Sequence, residues 1–378
     1  MRPAVKVLVL LVFLSCSRFT AVENQSEPVI DPLRLQAEEI ANSMNDRLLA
    51  AQLLISGIDG RESLSQNMME LLTDIPAGGI MFFRYNIDAN TGTIRSFLSQ
   101  ISDFVNDKSG IRPFMAIDHE GGSVNRLPHH LQVMPSASHY WELNNTEGKA
   151  AALAAINRDS LRDGTLLKSL GINMNFAPVA EYLMNENSSF LARRSYGPDP
   201  VFCAEAALAF LTGMQQAGVL CVVKHFPGSA GADPHYSASV INADLSRMDE
   251  LAFPFDYLIK NNARSIMAAH TLVPVIDDKI ASLSSVFMQN WLRDKLKFDG
   301  IIVSDDFIMA AAGRINPEDA AVLSIIAGSD MILVWPAHLR KTHDAIILAL
   351  ENGSLPRERL INAAQRVIYE KLRMGMIE

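Results

Sequence analysis

The sequence predicts an α/β fold, a (β/α)₈ TIM barrel forming a single catalytic domain, on three observations. Eight short apolar runs recur along the chain, each ends in polar residues, and stretches of helical periodicity lie between them. Strands that read as continuous apolar runs are covered on both faces, as in a parallel sheet flanked by helices. Eight such units in about 345 residues suit a closed barrel. A doubly wound open sheet is the competing architecture, but no GxGxxG turn follows the first strand.

Residues 1–15 lie ahead of that barrel. Arg2 and Lys6 are followed by the unbroken apolar run Val7 to Leu14, which reads as a secretory signal too short to span a bilayer as a permanent helix. Phe13-Leu14-Ser15-Cys16 resembles a bacterial lipobox, so Cys16 is expected to be lipidated and residues 16–32 to form a short tether. The expected location is therefore outside the cytoplasm, as a periplasmic or cell-envelope lipoprotein held to a membrane by its anchor. The barrel is assigned to residues 33–378. Its strands are expected at 53–58, 79–83, 113–117, 172–176, 219–223, 265–269, 301–303 and 331–334. Helices are expected at 93–106, 150–170, 202–217, 249–260, 285–296 and 317–327. Gly171, Gly218 and Gly328 stand just past the last periodic residue of three of them, where a helix commonly stops. A last amphipathic stretch, 356–372, is expected to pack on the outside.

Composition narrows the function classes. Lys and Arg number 33 against 42 Asp and Glu, a net charge of −9 with no basic run, so nucleic acid is not an expected partner. Three cysteines cannot build a disulfide framework, and neither CxxC nor a Cys/His cluster is present, so no metal or other cofactor is expected. Cys203 and Cys221 sit in apolar surroundings and read as buried thiols. The protein is expected to act as a monomer.

In a barrel of this type the site is built at the C-terminal ends of the strands. The polar residues just after each apolar run are therefore informative. Arg84 and Asn86 follow the second run, and Asp118-His119-Glu120-Gly121-Gly122 the third, with Arg126 eight residues past Asp118. Glu181 and then Arg193-Arg194 follow the fourth. Lys224-His225 and Asp233-Pro234-His235 follow the fifth, His270 the sixth, Asp305-Asp306 the seventh, and the eighth ends at Trp335. Charged groups at a narrow mouth cost desolvation unless paired or solvated. A rim salt-bridge network is the structural alternative, and His119 and His270 individually read as packing or supporting residues.

The segments Asp118-His119-Glu120-Gly121-Gly122-Ser123-Val124-Asn125-Arg126, Asn175-Phe176-Ala177-Pro178-Val179, Arg194-Ser195-Tyr196-Gly197-Pro198-Asp199-Pro200, Lys224-His225-Phe226-Pro227-Gly228 and Ser304-Asp305-Asp306 resemble the glycoside hydrolase family 3 catalytic domain. They are most similar to its stand-alone β-N-acetylglucosaminidase branch. The resemblance implies an exo-acting enzyme that removes terminal β-linked N-acetylglucosamine with retention and without a metal, from peptidoglycan or chitin-type fragments. By position, it implies Asp305 as nucleophile, His235 as acid/base and Asp233 as the partner that orients it. Asp118, Arg126, Arg194, Lys224 and His225 fall on sugar-binding positions. The family loop usually reads Lys-His-Phe-Pro-Gly-His-Gly; here Ser229-Ala230-Gly231 takes the place of the last two, and Asp233 arrives about two positions early.

The residue types agree with that chemistry. A retaining glycosidase needs a carboxylate to form a covalent glycosyl-enzyme, and nearby cations such as Lys224 and Arg194 would favour its charged form. A histidine can donate a proton to the leaving oxygen and later take one from water, with Asp233 fixing its tautomer. Two alternatives remain open at this stage: a phosphorylase on the same substrates, since a neutral base does not repel phosphate, and a sugar-binding surface lipoprotein with weakened catalysis.

Overall fold

The structure, a computed structural model, describes residues 31–377 except 88, 89, 129, 232, 310–312 and 314. The signal and Cys16 lie outside the described residues. The strands are β1 (Leu54–Gly57), β2 (Gly79–Phe82), β3 (Phe114–Ile117), β4 (Met174–Asn175), β5 (Leu220–Phe226), β6 (Ser239–Val240), β7 (Ser265–Ala268), β8 (Thr271–Leu272), β9 (Ile301–Ser304) and β10 (Ile332–Val334). All except β6 and β8 form one parallel sheet, in the order β10-β1-β2-β3-β4-β5-β7-β9. A parallel bridge from Val303 to Met331, supported by Ser304 N–H donating to the Met331 carbonyl at 2.9 Å, joins the two ends and closes the barrel.

Each barrel strand is largely buried on both faces because its two sets of side chains enter different layers. Ile55, Met81, Phe114, Ala116, Met174, Phe176, Leu220, Val222, Met267, Ile301, Val303 and Met331 pack together inside the barrel. Their neighbours, such as Leu54, Ile80, Phe82, Met115, Val223, Ile266 and Ile302, join the larger cluster beneath the helices. That division explains the continuous apolar runs of the sequence.

Two expectations need correction. The tether does not extend to residue 32: a helix, Pro32–Ser43, starts there, capped by Asp31 Oδ1 accepting from Leu33 N–H at 3.0 Å. Proline at the first helical position and an aspartate before it are a strong start signal. The last helix, Arg357–Arg373, does not simply lie outside. Its Val367 joins the barrel's inner cluster, and Met374 and Met376 pack there too, so this segment closes the N-terminal mouth. An amphipathic period identifies a buried face but not which layer buries it. The stretch expected as a helix at 285–296 is a wide π-type helix, Val286–Lys295.

Candidate active site

The inward register of the strands delivers the site. Along β9 the inward residues are Ile301 and Val303, and the next in that alternation is Asp305. Along β3 they are Phe114 and Ala116, followed by Asp118, and along β5 Leu220 and Val222, followed by Lys224. The apolar layers thus end in a charged layer at the C-terminal mouth. There a cavity of about 130 Å³ is lined by Asp118, Glu120, Arg126, Lys224, His225, His235 and Asp305, with Arg194 beside them.

One wall is an ion-pair network. Lys224 Nζ bridges Asp118 Oδ1 at 2.9 Å and Glu120 Oε1 at 2.8 Å. Arg194 grips Glu120 with two parallel bonds of 2.8 Å each, and Arg126 reaches Asp118 Oδ2 at 3.4 Å. Burial works against the charge of Glu120 and Asp118. The ammonium of Lys224 and the guanidinium beside each carboxyl outweigh it and hold both below the usual carboxylate range. The turn that carries Glu120 and Arg126 back to the cavity needs Gly121 and Gly122, whose φ values are +90° and +55°. A β-carbon at Gly121 would also sit 2.5 Å from the Pro135 carbonyl oxygen.

Two carboxylate–histidine pairs stand at the same mouth. His225 Nδ1 meets Glu181 Oε1 at 2.5 Å. His235 Nδ1 meets Asp233 Oδ1 at 2.7 Å, and the same oxygen accepts the His235 backbone N–H at 3.0 Å. A carboxylate on Nδ1 assigns the ring's remaining chemistry to Nε2. Partial burial raises Asp233, but the backbone and ring of His235 outweigh it and hold the carboxyl below its ordinary value. The shortened loop is stapled at its base. Ser239 Oγ accepts from Ala230 N–H and donates to the Ala230 carbonyl, both at 3.1 Å, and Thr271 Oγ1 donates to it at 3.0 Å. The small sheet of β6 and β8 ties the loop's exit to the segment after β7. His235, shortened loop notwithstanding, lines the same cavity as Asp305.

All eight residues singled out within the barrel therefore meet at one mouth: Asp118, Arg126, Arg194, Lys224, His225, Asp233, His235 and Asp305. Cys203 and Cys221 are buried thiols away from it, and burial pushes Cys203 up to about 12. His119 is buried against Asp163, Nε2 to Oδ2 at 2.9 Å, as a supporting residue. The rim does form a salt-bridge network, but one that borders a cavity and leaves Arg126 Nε buried without a partner. Lys224 and Arg194 pair with Asp118 and Glu120; among the described residues no ion pair reaches Asp305, which instead accepts the Asp306 N–H at 2.8 Å. Two residues were missed as site members, Glu120 and Glu181. Glu120 carried a signal, since it stands two residues past Asp118 in the same alternation. Glu181 joins His225 only through folding.

A closed parallel barrel that gathers carboxylates, cations and histidines at its C-terminal mouth has the groups that acid–base and nucleophilic catalysis needs. Residues 46–369 match the glycosyl hydrolase family 3 N-terminal domain, and the chain belongs to that family. It is 34% identical over 298 residues to a Methylococcus capsulatus protein named beta-hexosaminidase, covering 76% of this chain and 84% of that one. A protein of the same name from Idiomarina loihiensis is 30% identical over 334 residues, or 85% and 96% of the two chains. Among solved structures, a family 3 beta-N-acetylglucosaminidase from Paenibacillus sp. superposes with a TM-score of 0.81 at 29% identity, over 88% of this chain and 63% of that one. This chain therefore spans less than two thirds of that larger enzyme. M tuberculosis LpqI superposes with a TM-score of 0.75 at 27% identity, over 88% and 95%.

Proposed function

We propose that the protein is an exo-acting, retaining β-N-acetylglucosaminidase that works through a glycosyl-enzyme on Asp305. The observation that carries this reading is the placement of Asp305 and His235, the latter held by Asp233, on one small cavity with Asp118, Arg126, Arg194, Lys224 and His225. The names of the relatives support the sugar class.

In the first step Asp305 attacks the anomeric carbon while Nε2 of protonated His235 gives its proton to the departing oxygen. In the second, neutral His235 takes a proton from water, which displaces Asp305 with a second inversion, so the configuration is retained. Asp233 keeps Nδ1 engaged in both steps and stabilises the imidazolium. Three cations, Arg126, Arg194 and Lys224, face three carboxylates, Asp118, Glu120 and Asp305, so the wall is balanced and offers donors and acceptors to an uncharged polyhydroxyl ring. The unpartnered Arg126 Nε is a donor awaiting an acceptor. The small cavity suits a chain end, from peptidoglycan or chitin-type fragments.

The test is a comparison of nitrophenyl N-acetylglucosaminide with nitrophenyl glucoside, following the product anomer by proton NMR. Rapid release from the first with a β product supports the reading; preference for the glucoside, an α first product, or turnover that requires phosphate overturns it. Export and acylation at Cys16 belong to the same proposal. They predict incorporation of labelled palmitate that Cys16→Ser abolishes.

A further inference from the structure

We propose that Asp306 is a positioning residue, clamped from two sides by Trp335 and by the His270–Ser282 pair so that its backbone N–H holds one oxygen of Asp305 and leaves the other free to attack. The inference rests on Asp305 being the nucleophile.

The contacts converge on Asp306 from three elements. Its N–H donates to Asp305 Oδ1 at 2.8 Å. Its own carboxylate is committed at both oxygens: Oδ1 accepts from Ile308 N–H at 3.0 Å, and Oδ2 from the indole Nε1–H of Trp335. Its carbonyl accepts from His270 Nε2 at 3.0 Å. A carbonyl can only accept, so the His270 proton is on Nε2, and Nδ1 then accepts the Ser282 hydroxyl at 2.7 Å. Burial, the largest influence on His270, holds it below the ordinary histidine value, which keeps this tautomer neutral at neutral pH.

Both clamps are themselves fixed. The Trp335 ring stacks on Phe83, centroids 4.7 Å apart and planes within 9°, and Phe83 stacks on Tyr85 at 6.0 Å and 4°. His270 is stacked on Phe307 at 4.7 Å. Asp306 does not line the cavity, so it acts through its neighbour. A carboxylate beyond a strand end can rotate about two bonds, and a nucleophile displaced by about 1 Å loses on the order of 100-fold in rate. The clamp removes that freedom.

Trp335→Phe keeps the ring stack and deletes only the N–H. His270→Leu removes the donor to the carbonyl, and His270→Gln returns one. With nitrophenyl N-acetylglucosaminide, kcat is expected to fall about 10- to 100-fold in Trp335→Phe and His270→Leu, and to recover in part in His270→Gln. In Trp335→Phe the inhibition constant of free N-acetylglucosamine is expected to stay within about twofold, because Trp335 does not line the cavity. Wild-type kcat in folded Trp335→Phe overturns the proposal, whatever the fate of the His270 variants. So does a loss of kcat matched by an equal loss of inhibitor binding. Asp305→Asn separates the two readings: if it turns over normally, the nucleophile assignment fails, whereas an inert Asp305→Asn beside a fully active Trp335→Phe defeats the clamp alone.

Discussion

Lys371 offers a quantitative check on the closed end of the barrel. It is fully buried, with Nζ donating to Gln52 Oε1 at 2.9 Å and lying 5.2 Å from the centre of the Phe114 ring. Among the described residues no carboxylate pairs with it, and burial pushes the ammonium from 10.5 down to about 7. Between those values the unfolded chain binds a proton that the folded chain refuses, so stability rises with pH from about 7 to about 10.5. Below the folded value both states are protonated and the whole cost is present. At about 1.4 kcal/mol per pH unit that cost is about 5 kcal/mol, and about 2 kcal/mol of it is relieved between pH 7 and pH 9. Lys371→Met removes the charge and keeps the volume, but strands Gln52 Oε1 beside a Gln52 Nε2 that already lacks a partner, at about 1–3 kcal/mol. The expected net effect is a gain of about 2 kcal/mol at pH 7 and a flatter dependence on pH. Urea unfolding of both proteins at pH 7 and pH 9 measures it. A variant that is less stable at pH 7 and keeps the wild-type slope would refute the reasoning.

Three further substitutions probe other parts of the molecule. Asp330 is buried beneath Arg293, Arg359 and Arg366, with Arg293 at 2.5 Å. Asp330→Asn strands those cations and is expected to lower unfolding stability by about 3–5 kcal/mol, read from the denaturation midpoint. Glu181→Gln weakens the hold on His225 Nδ1 and is expected to raise KM more than it lowers kcat, about 10-fold against 3-fold, in steady-state assays. Asp233→Asn removes the partner that stabilises protonated His235. Its loss is expected to be about 100-fold for alkyl leaving groups, which need an acid, and under 10-fold for dinitrophenol, which does not.

Much of this architecture was legible because a barrel strand alternates inward and outward. Reading every second residue from Phe114 or Ile301 arrives at Asp118 and Asp305, and the same count along β10 from Met331 arrives at Trp335. The start of the Pro32–Ser43 helix is equally readable from Asp31-Pro32, one residue earlier than the assigned boundary at 33. Contacts between distant segments leave no such period. Glu181 and His225 are 44 residues apart, His270 and Asp306 are 36 apart, and only the packed barrel brings each pair together. Closure of the lower mouth by Val367 and Lys371 was hidden for the same reason: an amphipathic helix announces that one face is buried without saying against which layer.

The proposed mechanism requires Asp305 to become covalently attached to the sugar. The direct test is incubation with a fluorinated N-acetylglucosaminyl donor that forms the glycosyl-enzyme quickly and releases it slowly, followed by peptide mass spectrometry. A single sugar adduct on Asp305, absent when Asp305 is replaced by Asn, is the predicted result. An adduct on another carboxylate, or steady turnover of the ordinary substrate by Asp305→Asn, would contradict it.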